Sequence, residues 1–216
     1  METMNISSES LQEQAASTDI SIQWDHLLHQ LNTYQGQYEY HLTVDLETNN
    51  TQQLHAFETL CTELNAKAIV IQLASGETPT QPMLGQFLEG QPKTVLSTIQ
   101  TAAEKLQQQF TLTRVKVEAS TKNSNIPQTD EETSELPKSC YFEHHVKMQL
   151  PSTVNLPQLR AELIDYQGHL SRNAYTQASS SSDLESRFVT QRIWSGNHTA
   201  KQRLDTLLNF LKECDI

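Results

Sequence analysis

Residues 140–150, CYFEHHVKMQL, decide the fold because an earlier stretch of the chain carries the same pattern. Phe142–Leu150 aligned on Tyr38–Leu46 (YEYHLTVDL) brings Glu143 onto Glu39, His145 onto His41 and Leu150 onto Leu46, 104 positions apart. Both alternate in the manner of strands. One face carries Tyr40, Leu42, Val44 and Leu46, or His144, Val146, Met148 and Leu150. The other carries Glu39, His41, Thr43 and Asp45, or Glu143, His145, Lys147 and Gln149. The chain reads as two copies of one module, each opening on this strand.

Working outward from the first copy, Leu54, Phe57, Leu60 and Leu64 form an apolar stripe at helical spacing behind Thr51, a candidate N-cap. Ala66–Leu73 reads as a buried strand. The Gly/Pro-punctuated Ser75–Pro82 leads to a third strand near Met83–Leu88. Gly90 and Pro92 introduce a helix built on Val95, Ile99, Ala102, Ala103 and Leu106, and Thr111–Ala119 closes the module. That order, β-α-β-β-α-β, predicts a ferredoxin-like module. The second copy repeats it with a stripe of Leu156, Leu159, Leu163 and Tyr166, strands at His169–Thr176 and Arg187–Trp194, a Ser179–Ser182 connection and a last helix through Leu211. No final strand follows. The expected fold is α+β, two tandem ferredoxin-like modules with the second lacking its last strand. The expected domains are a disordered 1–19, a first module with a leading helix (Trp24, Leu27, Leu28, Leu31) over 20–119, an exposed linker at 120–138 and a second module over 139–216.

Composition bounds the function classes. The net charge is −11, against a general nucleic-acid binder, which needs Lys and Arg to neutralise phosphates. The charge is uneven: residues 1–138 hold 18 acidic and 7 basic side chains, whereas 139–216 hold 8 of each, so an anion-binding surface belongs in the second half. Cys61, Cys140 and Cys214 are odd in number and lack CxxC spacing, as expected of reduced thiols in the cytoplasm. No apolar run reaches the roughly 20 residues of a membrane span, and the N-terminus lacks the basic start and apolar core of a signal peptide.

YFEHHVK, HLSRNA and RFVTQR, with RVKVEA closing the first half, resemble an uncharacterised bacterial protein family with two ferredoxin-like halves, over about residues 37–216. The resemblance implies that these motifs belong together and that family members continue past the last helix into another strand. It implies no activity.

Three chemistries compete for the polar residues. Ser171, Arg172 and Asn173 occupy consecutive positions of a strand whose first-half counterpart is apolar, and burying them without partners costs several kcal/mol, of order 2–7 for a neutral group. Near them the plan places Arg187, Thr190, Gln191 and Arg192, with Glu143 and His145 one strand further. The leading reading is a cytoplasmic binding or interaction protein with a small-anion site at Arg172, Arg192, His145, Glu143, Asn173, Thr190 and Arg187, its partner an anionic small molecule or a protein, with no nucleic acid or membrane. Arg172 and Arg192 are the pair expected to share a face. Against it stands a solvated sheet face with cross-strand pairs such as Glu143 with Arg192. The second chemistry is a divalent metal held by Glu39, His41, Glu143 and His145. The third is a histidine-based, phosphoesterase-like hydrolase on the Glu-x-His strands, for which His41-x-Thr43 and His169-x-Ser171 supply the letters but not equivalent positions.

Overall fold

The computed structural model describes residues 2–6, 20–73, 80–173 and 184–214, which contain eight strands and six helices. In chain order they are β1 (Glu2–Asn5), α1 (Ile20–Thr33), β2 (Gln37–Asp45), α2 (Thr51–Glu63), β3 (Lys67–Leu73), β4 (Thr80–Glu89), α3 (Pro92–Gln107), β5 (Thr111–Ser120), α4 (Asp130–Thr133), β6 (Tyr141–Pro151), α5 (Leu156–Leu163), β7 (Gly168–Asn173), β8 (Leu184–Ile193) and α6 (Asn197–Glu213). From β2 onward, α4 apart, the elements follow the order read from the sequence. The sheet they build is different.

The strands hydrogen-bond in the order β1-β5-β2-β4-β3-β7-β8-β6, a closed barrel assembled from antiparallel pairs. This overturns the expectation of an α+β chain of tandem ferredoxin-like modules. The reason is physical. A period-two pattern shows which face of a strand is buried, but not which edge it pairs, and every edge N–H and C=O needs a partner. Ile71–Leu73 of β3 find theirs on Ser171–Asn173 of β7. β1 lies inside the stretch expected to be disordered, yet Thr3, Met4 and Asn5 are buried there. The remainder of the expected disordered tail, 7–19, lies outside the described residues, as do the Ser179–Ser182 connection and the end of the expected 169–176 strand.

The described residues divide into two compact units. One comprises Met4–Ile69 and Gln81–Ile126; the other comprises Pro127–Ile216 with Val70–Thr80 and Met1–Thr3. In the first, β2 alternates buried Tyr38, Tyr40, Leu42 and Val44 with partly covered Glu39, His41 and Thr43. Leu84, Phe57 and the apolar side of α3 (Val95, Ile99, Ala102, Leu106) are buried in the same unit. Pro92 opens α3, where a missing N–H costs nothing. Asn50, one residue before the expected Thr51, caps α2 by accepting from the N–H groups of Gln52 and Gln53.

In the second unit, Met148, Leu150, Leu170 and Val189 on the sheet meet Leu159 and Leu163 of α5 and Leu207 and Leu211 of α6. The segment expected as a loose linker is ordered in both units. Asn123 accepts from Gln37 N–H and donates to the carbonyls of Tyr34 and Gln37, and Ile126 is buried. Further on, Thr129 and Glu132 form a capping box on α4, and Asp130 accepts from Gly196 N–H at the start of α6. Low apolar content hid this order, because these residues are fixed by side-chain amides and carboxylates on backbone groups. Among the described residues no helix is long and apolar enough to cross a membrane.

Candidate functional site

β6, β8 and β7 lie side by side in the second unit, and their register assigns every side chain to a face. Residues directly opposite on neighbouring strands share a face. The helix-packed face carries Met148, Leu150, Val189 and Leu170. The other face is built in rows. His145 of β6, Thr190 of β8 and His169 of β7 form one row across three strands. Lys147, Phe188 and Ser171 form the next, and Glu143 opposite Arg192 lies on the far side of the histidine row.

Glu143 is the anchor. Its side chain is only 2% exposed, and it holds His145 Nε2 at 3.0 Å and Arg192 Nε at 2.8 Å. Those two side chains keep 32% and 39% of their surface. His145 Nδ1 lies 3.1 Å from Thr190 Oγ1. A carboxylate only accepts, so in neutral His145 the proton sits on Nε2, facing Glu143, and Nδ1 accepts from the Thr190 hydroxyl. The Arg192 guanidinium also stacks over the Tyr141 ring, 5.4 Å from its centroid, and Tyr141 meets exposed Trp194 at 5.3 Å. Trp194 Nε1 donates to Lys138 O, which fixes the aromatic end of the face.

Four of the seven expected anion-site residues are therefore gathered: Glu143, His145, Thr190 and Arg192. Asn173 shares their face near the end of β7, opposite Ile71. Arg172 and Arg187 do not join them. Arg172 has the parity of Leu170 and bonds Gln72 Oε1; Arg187 lies opposite Met148 on the helix-packed face and pairs with Glu185. The expectation that Arg172 and Arg192 share a face fails, because 170, 172, 187 and 189 have one orientation and 190 and 192 the other. His169 and Lys147 take their place, both exposed. Parity was the signal available for them: Lys147 is two residues from His145, and His169 two from Ser171.

The first unit shows the other Glu-x-His pair in different company. His41 Nε2 lies 3.3 Å from Glu39 Oε1, and Nδ1 lies 3.7 Å from Glu118 Oε1. Lys116 Nζ sits 2.5 Å from the same Glu118 oxygen. Gly85, opposite His41, leaves room for the ring; a Cβ there would come within 3.1 Å of His41 Cδ2 and 2.8 Å of Ile69 Cδ1. The expected metal set, Glu39, His41, Glu143 and His145, is assembled within neither unit. In each, a cation pairs with a carboxylate: Lys116 with Glu118 and Arg192 with Glu143.

On the helix-packed face of each sheet the two copies match again. Tyr40 Oη donates to Gln86 Oε1 at 2.8 Å, and Gln86 Nε2 donates to Asn65 O. His144, at the position of Tyr40, sets Nδ1 3.0 Å from Gln191 Oε1, and Gln191 Nε2 donates to Tyr166 O. Burial pushes the Tyr40 phenol up to about 12, with the neighbouring Cys61 adding to it. Burial holds the His144 imidazole below its usual range, partly opposed by the Gln191 bond. Cys61 is itself raised to about 12 by burial, next by Glu58, and is inert as a nucleophile.

No family model, no curated protein and no solved structure matches the chain.

Proposed function

We propose that the protein binds a small oxyanion, phosphate or carboxylate, on the face of β6, β8 and β7 that carries His145, Thr190 and His169. One observation carries the reading. Among the described residues of these strands that point to that face, Glu143 is the one acid, against Arg192, Lys147, His145 and His169. The acid is buried and orients two of the four, so the donors are held in place before a ligand arrives, which lowers the entropy cost of binding. The uneven charge of the chain agrees, since the acidic excess lies in residues 1–138. Three cysteines, an odd number without CxxC spacing, support a reducing, cytoplasmic setting.

Thermal unfolding in rising inorganic phosphate tests this. At about 100 times the dissociation constant the ligand adds roughly 2.7 kcal/mol, and for a chain of this size each kcal/mol raises Tm by about 2–4 °C. Lys147→Ala and His169→Ala, both at exposed positions, should leave the unliganded Tm within about 0.5 kcal/mol of the parent and shrink the phosphate shift. Arg172→Ala should leave that shift intact. A Tm indifferent to phosphate, or a shift that Arg172→Ala removes and Lys147→Ala does not, overturns the proposal.

A further inference from the structure

The geometry points to a second property of the same face: we propose that Thr190 is a nucleophile toward small anionic phosphoesters, with His145 as its general base. The ligand class rests on the anion reading above; the nucleophile rests on separate evidence, the order of groups along the row.

Thr190 Oγ1, His145 Nδ1, His145 Nε2 and Glu143 Oε1 follow one another at 3.1 Å and 3.0 Å across the imidazole. This is the hydroxyl–imidazole–carboxylate sequence that activates an alcohol for attack. Each part has a structural reason. Thr190 and His145 are cross-strand partners, so strand register sets their separation. Glu143 lies two residues before His145 on the same face, and its burial leaves its carboxylate to hold the Nε2 proton. Arg192 on the other carboxylate oxygen fixes Glu143 in place. The first-half copy is ordered differently: His41 has carboxylates toward both ring nitrogens, and its cross-strand partners are Gly85 and Lys116.

In the step itself, Thr190 Oγ1 attacks the ester phosphorus as its proton passes to His145 Nδ1. The bond from phosphorus to the leaving oxygen breaks, and that oxygen departs with the electron pair and takes the proton from Nδ1. Water, giving its proton to the same nitrogen, then attacks phosphorus; the bond to Thr190 breaks, and Oγ1 recovers the proton. Lys147 and Arg192 share the face on which negative charge accumulates.

A neutral alkyl fluorophosphonate is the probe, because its reaction forms the oxygen–phosphorus bond and expels fluoride without requiring anion binding. Intact-mass and peptide analysis of the full chain should find one adduct, on Thr190, in the parent and in Thr190→Ser. Thr190→Val should lose it, and His145→Gln should label on the order of 100-fold more slowly, the usual scale of general-base assistance. Nitrogen-15 shifts should place the proton of neutral His145 on Nε2. Absence of an adduct on Thr190, or equal labelling of His145→Gln, overturns the nucleophile while phosphate-induced stabilisation still supports the binding site. Labelling with no phosphate effect overturns the anion reading instead, and with it the phosphoester class.

Discussion

The strand pairs that open the two halves share their letters and differ in their company. Glu39-x-His41 faces Lys116 and Glu118 across one edge and Gly85 and Phe87 across the other. In that cluster Glu118 is fully buried and His41 only 13% exposed. Glu143-x-His145 faces Arg192 and Thr190, with His169 beyond, and its imidazole is more than twice as exposed. The same local motif thus sits among ion-paired, buried groups in one half and beside a threonine hydroxyl, with a half-exposed imidazole, in the other. What a strand offers chemically depends on what its neighbours place in the same row.

The largest expected effect breaks the first cluster. Lys116→Ala strips the buried Glu118 carboxylate of its ammonium, and removing one partner of a buried pair costs about 3–5 kcal/mol. Urea unfolding of this variant beside Lys147→Ala, the exposed lysine of the second-half face, should show a large loss against almost none. Similar losses for the two would erase the distinction between a structural and an accessible face.

A smaller effect sharpens the matching glutamines. Gln191 is 1% exposed and serves His144, Tyr166 O and Arg203 O, so Gln191→Leu leaves buried groups without their amide. Its cost should be about 1–3 kcal/mol. Gln86 makes the corresponding bonds to Tyr40 and Asn65 O in a less buried place, where water can replace the amide. Gln86→Leu should cost under about 1 kcal/mol. A larger loss for Gln86 than for Gln191 would mean the two bridges are not equivalent in kind.

These contrasts show what was legible in the sequence. The 104-residue offset and the alternation of Tyr38–Asp45 located the strands and their buried faces, because burial follows side-chain period. Element order was readable for the same reason. The barrel was not, since edge pairing of β3 with β7 and the docking of β1 are backbone events with no side-chain period of their own. Within the site, Glu143 with Arg192 was readable as a cross-strand pair. Arg172 was misassigned for want of a register: one residue changes the face, and consecutive Ser171, Arg172 and Asn173 gave no apolar alternation to fix it. The ordered 120–138 segment was hidden because its tethers are single amides such as Asn123, not an apolar stripe.

The smallest effect concerns acid, and it turns on the position where one copy has Tyr40 and the other His144. The phenol stays neutral throughout the ordinary pH range, because burial has raised it further. The imidazole is neutral at pH 7 and buried, and its folded pKa lies below 6.5. Well above pH 6.5 both folded and unfolded chains carry it uncharged, so it adds no pH dependence. As pH falls through about 6.5, the unfolded chain takes up the proton before the folded one does, and stability drops with it. The loss grows until pH passes the lower folded value, after which both states are protonated and the contribution is constant. Carboxylates whose pKa values lie near 4 add their own dependence further down. Unfolding free energy should therefore decline between pH 7 and 5 in the parent chain, and the decline should be shallower in His144→Tyr, which brings the first-half arrangement of phenol on glutamine into the second half. Equal slopes for the two proteins over that interval would remove His144 as the source, and a steeper slope for the tyrosine variant would reverse the sign argued here.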